Sequence, residues 1–398
     1  FRSGATQWTA LAYLQLRDFE SGFASVVAGR NSVAPALFQR VPATGLGARL
    51  ELRPAIADSN PLRLGIDWRR TSGRTEEDYF FSGVTPGRHR IAGGDSDTVG
   101  AFAEWTSGDG QDGFLWTLSG RVDRWWLGEG YRIERNIGGS LITNLRFPAR
   151  QGWEGSGRAG VRWTSDGFTL RAAAYRGWRL PTLNELYRPF RVGADTTTAN
   201  EMLRPERLWG GEAGADWARG DTKLSVTLFA NHLSNAIANV TIGPNLSQRQ
   251  NLDAIDSKGI EFAGEQRIGP ATLRATWAFT EAKVDASGLA ATLDGRRPAQ
   301  IAKNSGSVSL RSNGAGPFGG FATLRYVGSQ NEDDLGLLKL DDAVTLDAGL
   351  SWRITDALSV EARGENLTNE LVPAAISSSG IVERATPRTL WVGARVNF

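Results

Sequence analysis

The chain has 398 residues with a formal net charge of +2, no cysteine and only two histidines, His89 and His232. The absence of cysteine excludes disulfide frameworks, thiolate metal sites and cysteine nucleophiles, and the small net charge gives no reason to expect a nucleic-acid partner. Apolar runs are only a few residues long and the mean hydropathy is negative, which excludes a bundle of membrane helices, because each helix needs about 20 apolar residues.

Alternation of apolar and polar residues is the dominant pattern along the chain. A period of two predicts β-strands with one apolar face and one polar face that contacts water. Because only half of each strand is apolar, the pattern fits a transmembrane barrel as well as a soluble sandwich. Sixteen segments follow it: residues 8–17, 46–53, 62–69, 99–106, 114–126, 158–163, 168–175, 212–217, 224–231, 259–265, 271–280, 307–311, 321–326, 343–353, 358–365 and 390–398.

Connection lengths between these segments alternate. Short turns at one end and long loops at the other are the rule in outer-membrane barrels. The short connections are residues 108–112, 165–167, 218–221, 268–270, 313–317 and 354–357. The long ones are residues 71–97, 127–157, 176–211, 233–258, 281–306, 327–342 and 366–389.

Aromatic residues on the apolar faces fall at two heights. Amphipathic rings prefer the headgroup boundary, so aromatics at one height predict a membrane girdle. The alternative is a set of core tryptophans, which packing would scatter in height. Next to short turns stand Trp105, Phe114, Trp163, Phe168, Trp217, Trp352 and Phe398, and next to long loops stand Trp68 and Trp153.

The polar faces are heavily charged. A water-filled lumen accepts such charges, whereas an arginine facing lipid at mid-bilayer costs roughly 2–4 kcal/mol. We therefore expect the apolar faces to point to lipid and the polar faces to an aqueous interior. The charged residues are Arg121, Asp123, Arg171, Arg274, Arg325, Asp347, Glu361 and Arg363.

Four motifs in the second half of the chain resemble TonB-dependent outer-membrane receptors. Residues 177–190 are similar to the family's aromatic/Arg-x-Pro-Thr-x-x-Glu-Leu-Tyr stretch, and residues 200–207 to its Asn-x-x-Leu-Lys-Pro-Glu. Residues 365–370 resemble its Asn-Leu-Phe-Asp, with Thr368 and Asn369 as departures, and a Pro-Arg pair leads into the final strand. Ala302, where the family often has proline, and Trp391, where it often has a polar residue, also depart from the pattern. The matching positions are Pro181, Glu185, Leu186, Tyr187, Pro205, Glu206, Asn366, Leu367, Pro387 and Arg388.

The end of the chain resembles the signal by which barrels are recognised for assembly, with Gly393, Val396 and a terminal Phe398. The resemblance implies an all-β, antiparallel transmembrane barrel with about 16 of an expected 22 strands. Residues 1–398 form one domain in this interpretation, the C-terminal portion of the barrel. The chain opens without a signal peptide and shows neither plug nor TonB box in recognisable form. We therefore expect either an open, curved sheet with edges at residues 8–17 and 390–398, or an abnormally closed barrel.

By the same resemblance the protein binds a scarce solute such as a ferric siderophore, cobalamin or a saccharide. The implied partners are outer-membrane lipid and lipopolysaccharide, the barrel assembly machinery, and the TonB complex through an N-terminal region. Aromatic and basic residues of the long loops and upper lumen suit anionic or metal-bearing ligands. The candidate ligand contacts are Trp125, Tyr131, Arg132, Arg135, Tyr187, Arg188, Phe190 and Arg191.

Other functions have less support in the sequence. The acidic stretch at residues 74–79 has no calcium-loop spacing and is expected to be solvated loop charge. Neither histidine has a metal or triad partner nearby in sequence, and there is no nucleophile elbow or phosphate loop. We expect no enzyme, no cofactor and no metal. The alternatives are a complete 16-stranded diffusion porin, an outer-membrane hydrolase and a soluble sandwich.

Overall fold

The chain forms a long antiparallel meander. The structure, a computed structural model, describes residues 2–3, 6–26, 31–55, 61–80, 85–108, 112–192, 195–312, 316–377 and 380–397. Each long strand pairs with the next one in sequence. The long strands are β1 (Thr6–Val26), β2 (Val33–Arg53), β3 (Leu62–Tyr79), β4 (Arg88–Ser107), β5 (Gly113–Leu127), β6 (Arg150–Ser165), β7 (Phe168–Arg179), β8 (Glu206–Arg219), β9 (Thr222–Ser234), β10 (Ala254–Ile268), β11 (Ala271–Asp285), β12 (Asn304–Ser312), β13 (Phe318–Val327), β14 (Ala343–Arg353), β15 (Leu358–Glu365) and β16 (Thr389–Val396).

The main sheet also contains three shorter strands. Arg2–Ser3 pairs with the start of β1, and a hairpin of Gly130–Asn136 and Leu141–Phe147 pairs with the upper part of β4. Within the described residues no ladder joins β1 to β16, so the sheet has its edges at the two strands where the sequence predicted them. No helix in the described part of the chain is long and apolar enough to cross a membrane.

Fifteen of the predicted segments lie wholly within their own long strands, and the last, residues 390–398, lies in β16 as far as Val396. The predicted loop at residues 71–97 is wrong over most of its length, because β3 continues to Tyr79 and β4 begins at Arg88. In this upper region both faces are polar, with Glu77 opposite Arg90 and Asp78 opposite His89. The hydrophobic alternation stops there while backbone pairing continues, which is why the pattern missed it.

Most residues of the lower aromatic girdle oppose another aromatic residue on a neighbouring strand, whereas Trp105 lies opposite Leu62 and Leu118. Phe114 pairs with Trp163, Phe168 with Trp217, and Phe318 with Trp352, in each case next to a short turn. The ring centroids are 6.2 Å apart in the second pair and 5.9 Å apart in the third. Opposed aromatics of this kind stabilise a sheet by cross-strand contact. The predicted Phe398 lies outside the described residues.

The upper girdle stands at the other end of the apolar band. On β8 the band runs from Trp217 to Trp209, eight residues or about 27 Å along the strand at roughly 3.4 Å per residue. A strand tilt of about 40° reduces this to roughly 21 Å along the membrane normal, close to the height of barrel apolar bands. Trp153 and Trp68, predicted for this girdle, are 63% and 36% exposed.

The polar faces carry ion pairs and border an internal space. Arg121 donates to Asp67 and Asp123 at 2.6 and 2.5 Å, and Arg325 pairs with Asp347. A cavity of about 590 Å³ lies on this side, with lining residues from β1 to β7. Leu350 on the opposite face is 72% exposed. The structure thus separates the two faces as the sequence predicted.

The loops at the upper end form structure of their own. The segment after β7 contains α1 (Leu183–Tyr187), and a 3₁₀ helix follows β11 at Gly288–Leu293. Thr241 donates through its backbone and hydroxyl to Asp334, at 2.7 and 2.8 Å, and so ties two loops together. A four-stranded loop sheet is built from Phe190–Val192, Asp195–Thr198, Leu246–Asn251 and Ile237–Gly243, and two small hairpins from Gln330–Asn331 with Lys339–Leu340 and Pro373–Ile376 with Val382–Arg384.

Candidate ligand-binding face and loop cap

The Pro-Thr-x-x-Glu motif begins α1 with a capping box. The Thr182 hydroxyl accepts from the Glu185 backbone N–H at 3.2 Å, and the Glu185 carboxylate accepts from the Thr182 backbone N–H at 2.6 Å. The Arg179 guanidinium then bridges Glu185 and Glu206, at 3.0 and 2.5 Å. Two of the four family motifs therefore meet in one joint, which connects the top of β7 to the start of β8.

Glu185 should make this joint sensitive to acid. Burial raises the pKa of its carboxyl, but the hydrogen bonds from Arg179 and Thr182 outweigh burial, so the pKa lies below its usual value. A group whose pKa is lower in the folded state stabilises the protein fully when the pH is above its unfolded-state pKa. This stabilisation is lost as the pH falls through the folded-state pKa. We expect Glu185→Gln to flatten the stability–pH curve below about pH 4.5. Urea unfolding of both proteins between pH 3 and 7 measures this, and parallel curves would contradict it.

The residues after the capping box anchor the loop to the inner wall of the barrel. Leu186 and Tyr187 are 0% and 2% exposed, and they pack against Trp125, Leu127 and Leu203. Beneath Tyr187 lies a glycine, Gly130, where a Cβ atom would come within 2.2 Å of the tyrosine ring. The close approach of backbone and ring requires glycine at this position.

A buried carboxylate holds the next residue of the loop. The Glu77 side chain is fully buried and accepts from Arg188 Nε at 2.9 Å and from Arg90 Nε at 2.8 Å. Arg188 also donates to Gln39 at 2.7 Å, and Arg90 contacts the Tyr79 hydroxyl. We call these five residues the Glu77 cluster. The cluster fixes the loop after β7 to β2, β3 and β4.

The structure brings together only part of the predicted ligand-contact set. Trp125, Tyr187 and Arg188 lie together on the inner side, where the first two are buried in the loop anchor and the third pairs with Glu77. Arg132 lies on the same face of the hairpin as Glu134, and its Nε is 3.9 Å from Glu134 Oε1.

The remaining predicted contacts lie elsewhere. Tyr131 and Arg135 alternate with Arg132 and so point away from it; the Tyr131 ring is covered by Arg146, and Arg135 donates to the Gly139 carbonyl. Phe190 stacks on Arg249 at 5.1 Å, and Arg191 is exposed. The eight residues therefore form no single surface, and ligand contact by any of them stays a prediction.

Sequence reasoning missed the groups that organise this region. Arg249, from the loop after β9, is 9% exposed and donates to the carbonyls of Asn184 and Arg188. Burial lowers the pKa of its guanidinium. The expectation that residues 74–79 are solvated loop charge is wrong for Glu77, which is buried between two arginines. In the part of the chain that the structure describes, no group of three or more acidic or histidine side chains could hold a metal.

The Asn-Leu motif near the end of the chain is a second structural joint. Asn366 is 5% exposed and has a φ of +46°, a conformation that asparagine tolerates better than most residues. Its side chain donates to the carbonyls of Glu370 and Thr386, at 2.8 and 3.3 Å, and accepts from the Glu370 N–H at 2.9 Å. The Arg388 N–H donates to Asn369. The joint aligns the Pro-Arg pair at the start of β16.

Removing the Asn366 side chain should loosen this joint. Asn366→Ala removes three hydrogen bonds to the backbone of Glu370 and Thr386 and places alanine at positive φ, so we expect a loss of about 1–3 kcal/mol in the free energy of unfolding. Thr368→Ala removes only the 3.3 Å hydrogen bond from the exposed Thr368 hydroxyl to Asn366 Oδ1, and so should cost less, about 0.5 kcal/mol. Urea unfolding followed by tryptophan fluorescence compares them, and equal midpoints would contradict the role of Asn366.

Two aromatic girdles, a charged inner face and structured loops at the upper end define a transmembrane antiparallel β-barrel of the outer-membrane type. The alternative of a soluble sandwich is therefore wrong. More specifically, the chain belongs to the TonB-dependent receptor family: residues 3–367 match the family model described as TonB dependent receptor-like, beta-barrel. Members of this family are receptors and transporters. The resemblance predicted from the four motifs is confirmed.

Individual relatives agree with the family assignment. The chain is 30% identical over 220 residues to the vitamin B12 transporter BtuB of Vibrio vulnificus, covering 54% of this chain and 33% of that protein. It superposes on the ferric yersiniabactin uptake receptor FyuA of Yersinia pestis with a TM-score of 0.77 at 15% identity, covering all of this chain and 60% of that one. The copper transporter OprC gives 0.75 at 18% identity, with 98% and 62% coverage. The chain thus spans a third of the curated relative and about three-fifths of the solved structures, whose likeness shows the fold alone.

Proposed function

We propose that this chain is the barrel portion of an outer-membrane receptor that takes up a scarce solute with energy supplied through TonB. The single observation that carries the proposal is the family match over residues 3–367. Membership of this family favours uptake by a receptor over passive diffusion through a porin. The fold alone does not identify the solute. The ferric siderophore and cobalamin classes come first, because relatives named for uptake of ferric yersiniabactin and vitamin B12 are among the proteins that this chain resembles.

The chemistry of the interior supports such a solute. The 590 Å³ cavity is lined by basic side chains, including Arg49, Arg69 and Arg158, and by the aromatic rings of Tyr13 and Tyr175. Guanidinium groups and flat rings bind anionic and aromatic groups. We propose that the solute enters past the upper loops that carry α1 and the four-stranded loop sheet, and meets Arg132, Phe190 and Arg191 before it reaches the cavity. Trp125 and Tyr187, which are buried, and Arg188, which pairs with Glu77, then shape the passage, because their own contacts hold them in place.

We further propose that residues 1–398 supply about the last 16 of roughly 22 strands. Edges at β1 and β16 in the described residues support this, because unpaired backbone in lipid is unfavourable by several kcal/mol per group. In the complete receptor, preceding strands would pair with both edges. Lipopolysaccharide, the barrel assembly machinery and the TonB complex are the proposed partners of that protein in the Gram-negative outer membrane.

Uptake by cells tests the function. We expect cells that carry the full-length gene to accumulate radiolabelled cyanocobalamin or a ferric siderophore at nanomolar concentration, with saturation, and to lose this uptake when the gene or TonB is removed. A porin would let solutes pass in proportion to their concentration and without TonB. TonB-independent, non-saturating entry would therefore overturn the proposal.

A further inference from the structure

The hairpin that extends the main sheet beside β4 ends in a strand with one unpaired side. Leu141–Phe147 pairs with Gly130–Asn136, and within the described residues no other strand pairs with it. We call Leu141–Phe147 the open edge. Every second residue of such a strand points its backbone N–H and C=O away from the hairpin. The open edge therefore presents a row of donors and acceptors that another extended backbone matches.

The open edge lies well above the membrane. Trp68 of the upper girdle is level with Val99 on β4, whereas the hairpin joins β4 six residues higher, where Gly93 lies opposite Tyr131. Six residues correspond to roughly 16 Å along the membrane normal, at about 3.4 Å per residue and a strand tilt of about 40°. A partner of the open edge is therefore in water, on the side of the long loops, and is not a lipid.

A comparable edge in the upper loops is closed by carboxylates. Ile237–Gly243 is an edge strand of the four-stranded loop sheet. Two of its backbone N–H groups are capped: Ile237 donates to Glu206 and Thr241 donates to Asp334, each at 2.7 Å. In the part of the chain that the structure describes, no side chain caps the backbone of the open edge. Edge strands are usually protected, so the open edge stands out as available for pairing.

Apolar side chains accompany the open edge. Leu141, Ile142 and Leu145 are 51%, 47% and 39% exposed. Ile142 is the extra residue of a bulge, so the regular ladder of the open edge covers Thr143–Phe147. An added strand would place its own side chains beside these residues and cover them, as cross-strand neighbours do in a sheet.

The charge beside the open edge is positive. Residues 141–150 contain Arg146 and Arg150 but no aspartate or glutamate. Arg150 donates to two loop carbonyls. The Arg146 guanidinium lies 5.3 Å from the centroid of the Tyr131 ring, and among the described residues it has no carboxylate partner. An opposite charge on a neighbouring strand is stabilising, so the open edge favours an acidic partner.

A second copy of the chain does not fit the open edge. Two receptors in one membrane share one orientation, so a rotation about the membrane normal relates them. Their open edges would then run in the same direction at equal height. Because the same residues point outward on both edges, N–H groups would face N–H groups and carbonyls would face carbonyls. Regular pairing needs donors opposite acceptors, so the partner is a different polypeptide.

We propose that the open edge binds an extended, acidic segment of a water-soluble protein outside the cell. The segment adds as a further strand beside Thr143–Phe147, with apolar side chains next to Leu145 and a carboxylate next to Arg146. Main-chain hydrogen bonds give such a complex its affinity, and alternate side chains give it specificity. The Phe147 ring stacks on Tyr187 with centroids 5.2 Å apart, so the bound segment lies beside the loop after β7. The site is independent of which solute the receptor takes up.

Peptide binding to the full-length receptor in detergent micelles tests the proposal. The probe is a fluorescent peptide of about seven residues, a usual strand length, with alternating valine and threonine and an aspartate at each end. Leu145→Asp removes an apolar contact and adds a like charge, so it should weaken binding about tenfold. The control is Ile137→Ser, because Ile137 is 64% exposed in the hairpin turn, outside the open edge. Circular dichroism and urea midpoints show that both variants are folded.

Two altered peptides separate backbone pairing from charge. Replacing the threonines by prolines removes the N–H groups that a ladder needs, so this peptide should not bind. Replacing the aspartates by lysines should weaken binding, because the charge beside the open edge is positive. Equal binding of the proline peptide, equal binding by Leu145→Asp, or no binding of the acidic peptide at all would each overturn the proposal.

Hydrogen exchange shows whether the edge is open in the complete receptor. Alternate amides of Thr143–Phe147 should exchange faster than those of Gly130–Asn136, which pair with a strand on both sides. The acidic peptide should slow their exchange. Equal protection of the two strands in the free receptor would mean that another segment or a second copy already covers the edge, and the proposal would then be wrong.

Discussion

Glu77→Ala is expected to lower the free energy of unfolding by about 3–5 kcal/mol, because it leaves two arginines in a protein interior without their carboxylate. The Glu77 side chain is fully buried, and those of Arg90 and Arg188 are 7% and 16% exposed. Urea unfolding in detergent micelles measures the loss. Hydrogen exchange should also show faster exchange at residues 182–191, since Arg188 is held by this carboxylate.

The neighbouring residue provides the matched control. Glu76 points to the other face and pairs with Arg74 at 2.6 Å, with the two side chains 24% and 50% exposed. An exposed pair of this type contributes about 0–1 kcal/mol, so Glu76→Ala should change stability little and leave exchange in the loop unaltered. If Glu77→Ala and Glu76→Ala have the same midpoint, the Glu77 cluster does not hold the loop.

The strands at membrane height could be predicted from sequence because two solvents impose the pattern. Along β14, Leu350 and Trp352 face one side while Asp347 and Ser351 face the other, and no other arrangement satisfies both lipid and water. Above the girdle this constraint ends. Thr75 and Glu77 of β3 are buried because loops from elsewhere in the chain pack on them. Their local sequence shows only polar and charged residues and therefore predicts an exposed surface.

The candidate site was only partly predictable for a related reason. The family motifs identified residues that build joints: Glu185 and Glu206 at Arg179, and Asn366 beside the last strand. The partners that complete the region come from distant parts of the chain, as with Gln39 and Arg188, 149 residues apart. Contacts over such separations leave no local pattern in a single sequence.

Leu324→Arg and Thr323→Arg should have very different effects, although the two residues are adjacent in β13. Leu324 is 46% exposed on the apolar face, between the lower girdle at Phe318 and the top of the strand. A charged arginine there should cost about 2–4 kcal/mol. Thr323 is on the polar face opposite Asp347 in the register, so an arginine at that position gains a carboxylate neighbour and should be nearly neutral.

Folding into lipid vesicles distinguishes these outcomes, because an arginine on the apolar face lowers stability only when that face contacts acyl chains. The free energy of unfolding of each variant is measured in vesicles. In high urea without lipid, where both variants are unfolded, their spectra should be alike. Leu350→Arg, on the same face but close to the lower girdle at Trp352, should be intermediate, since the cost falls toward the interface. A penalty that is larger for Thr323→Arg than for Leu324→Arg would mean that the charged face contacts lipid. That result would contradict both the aqueous interior and the assignment of the chain as a receptor barrel.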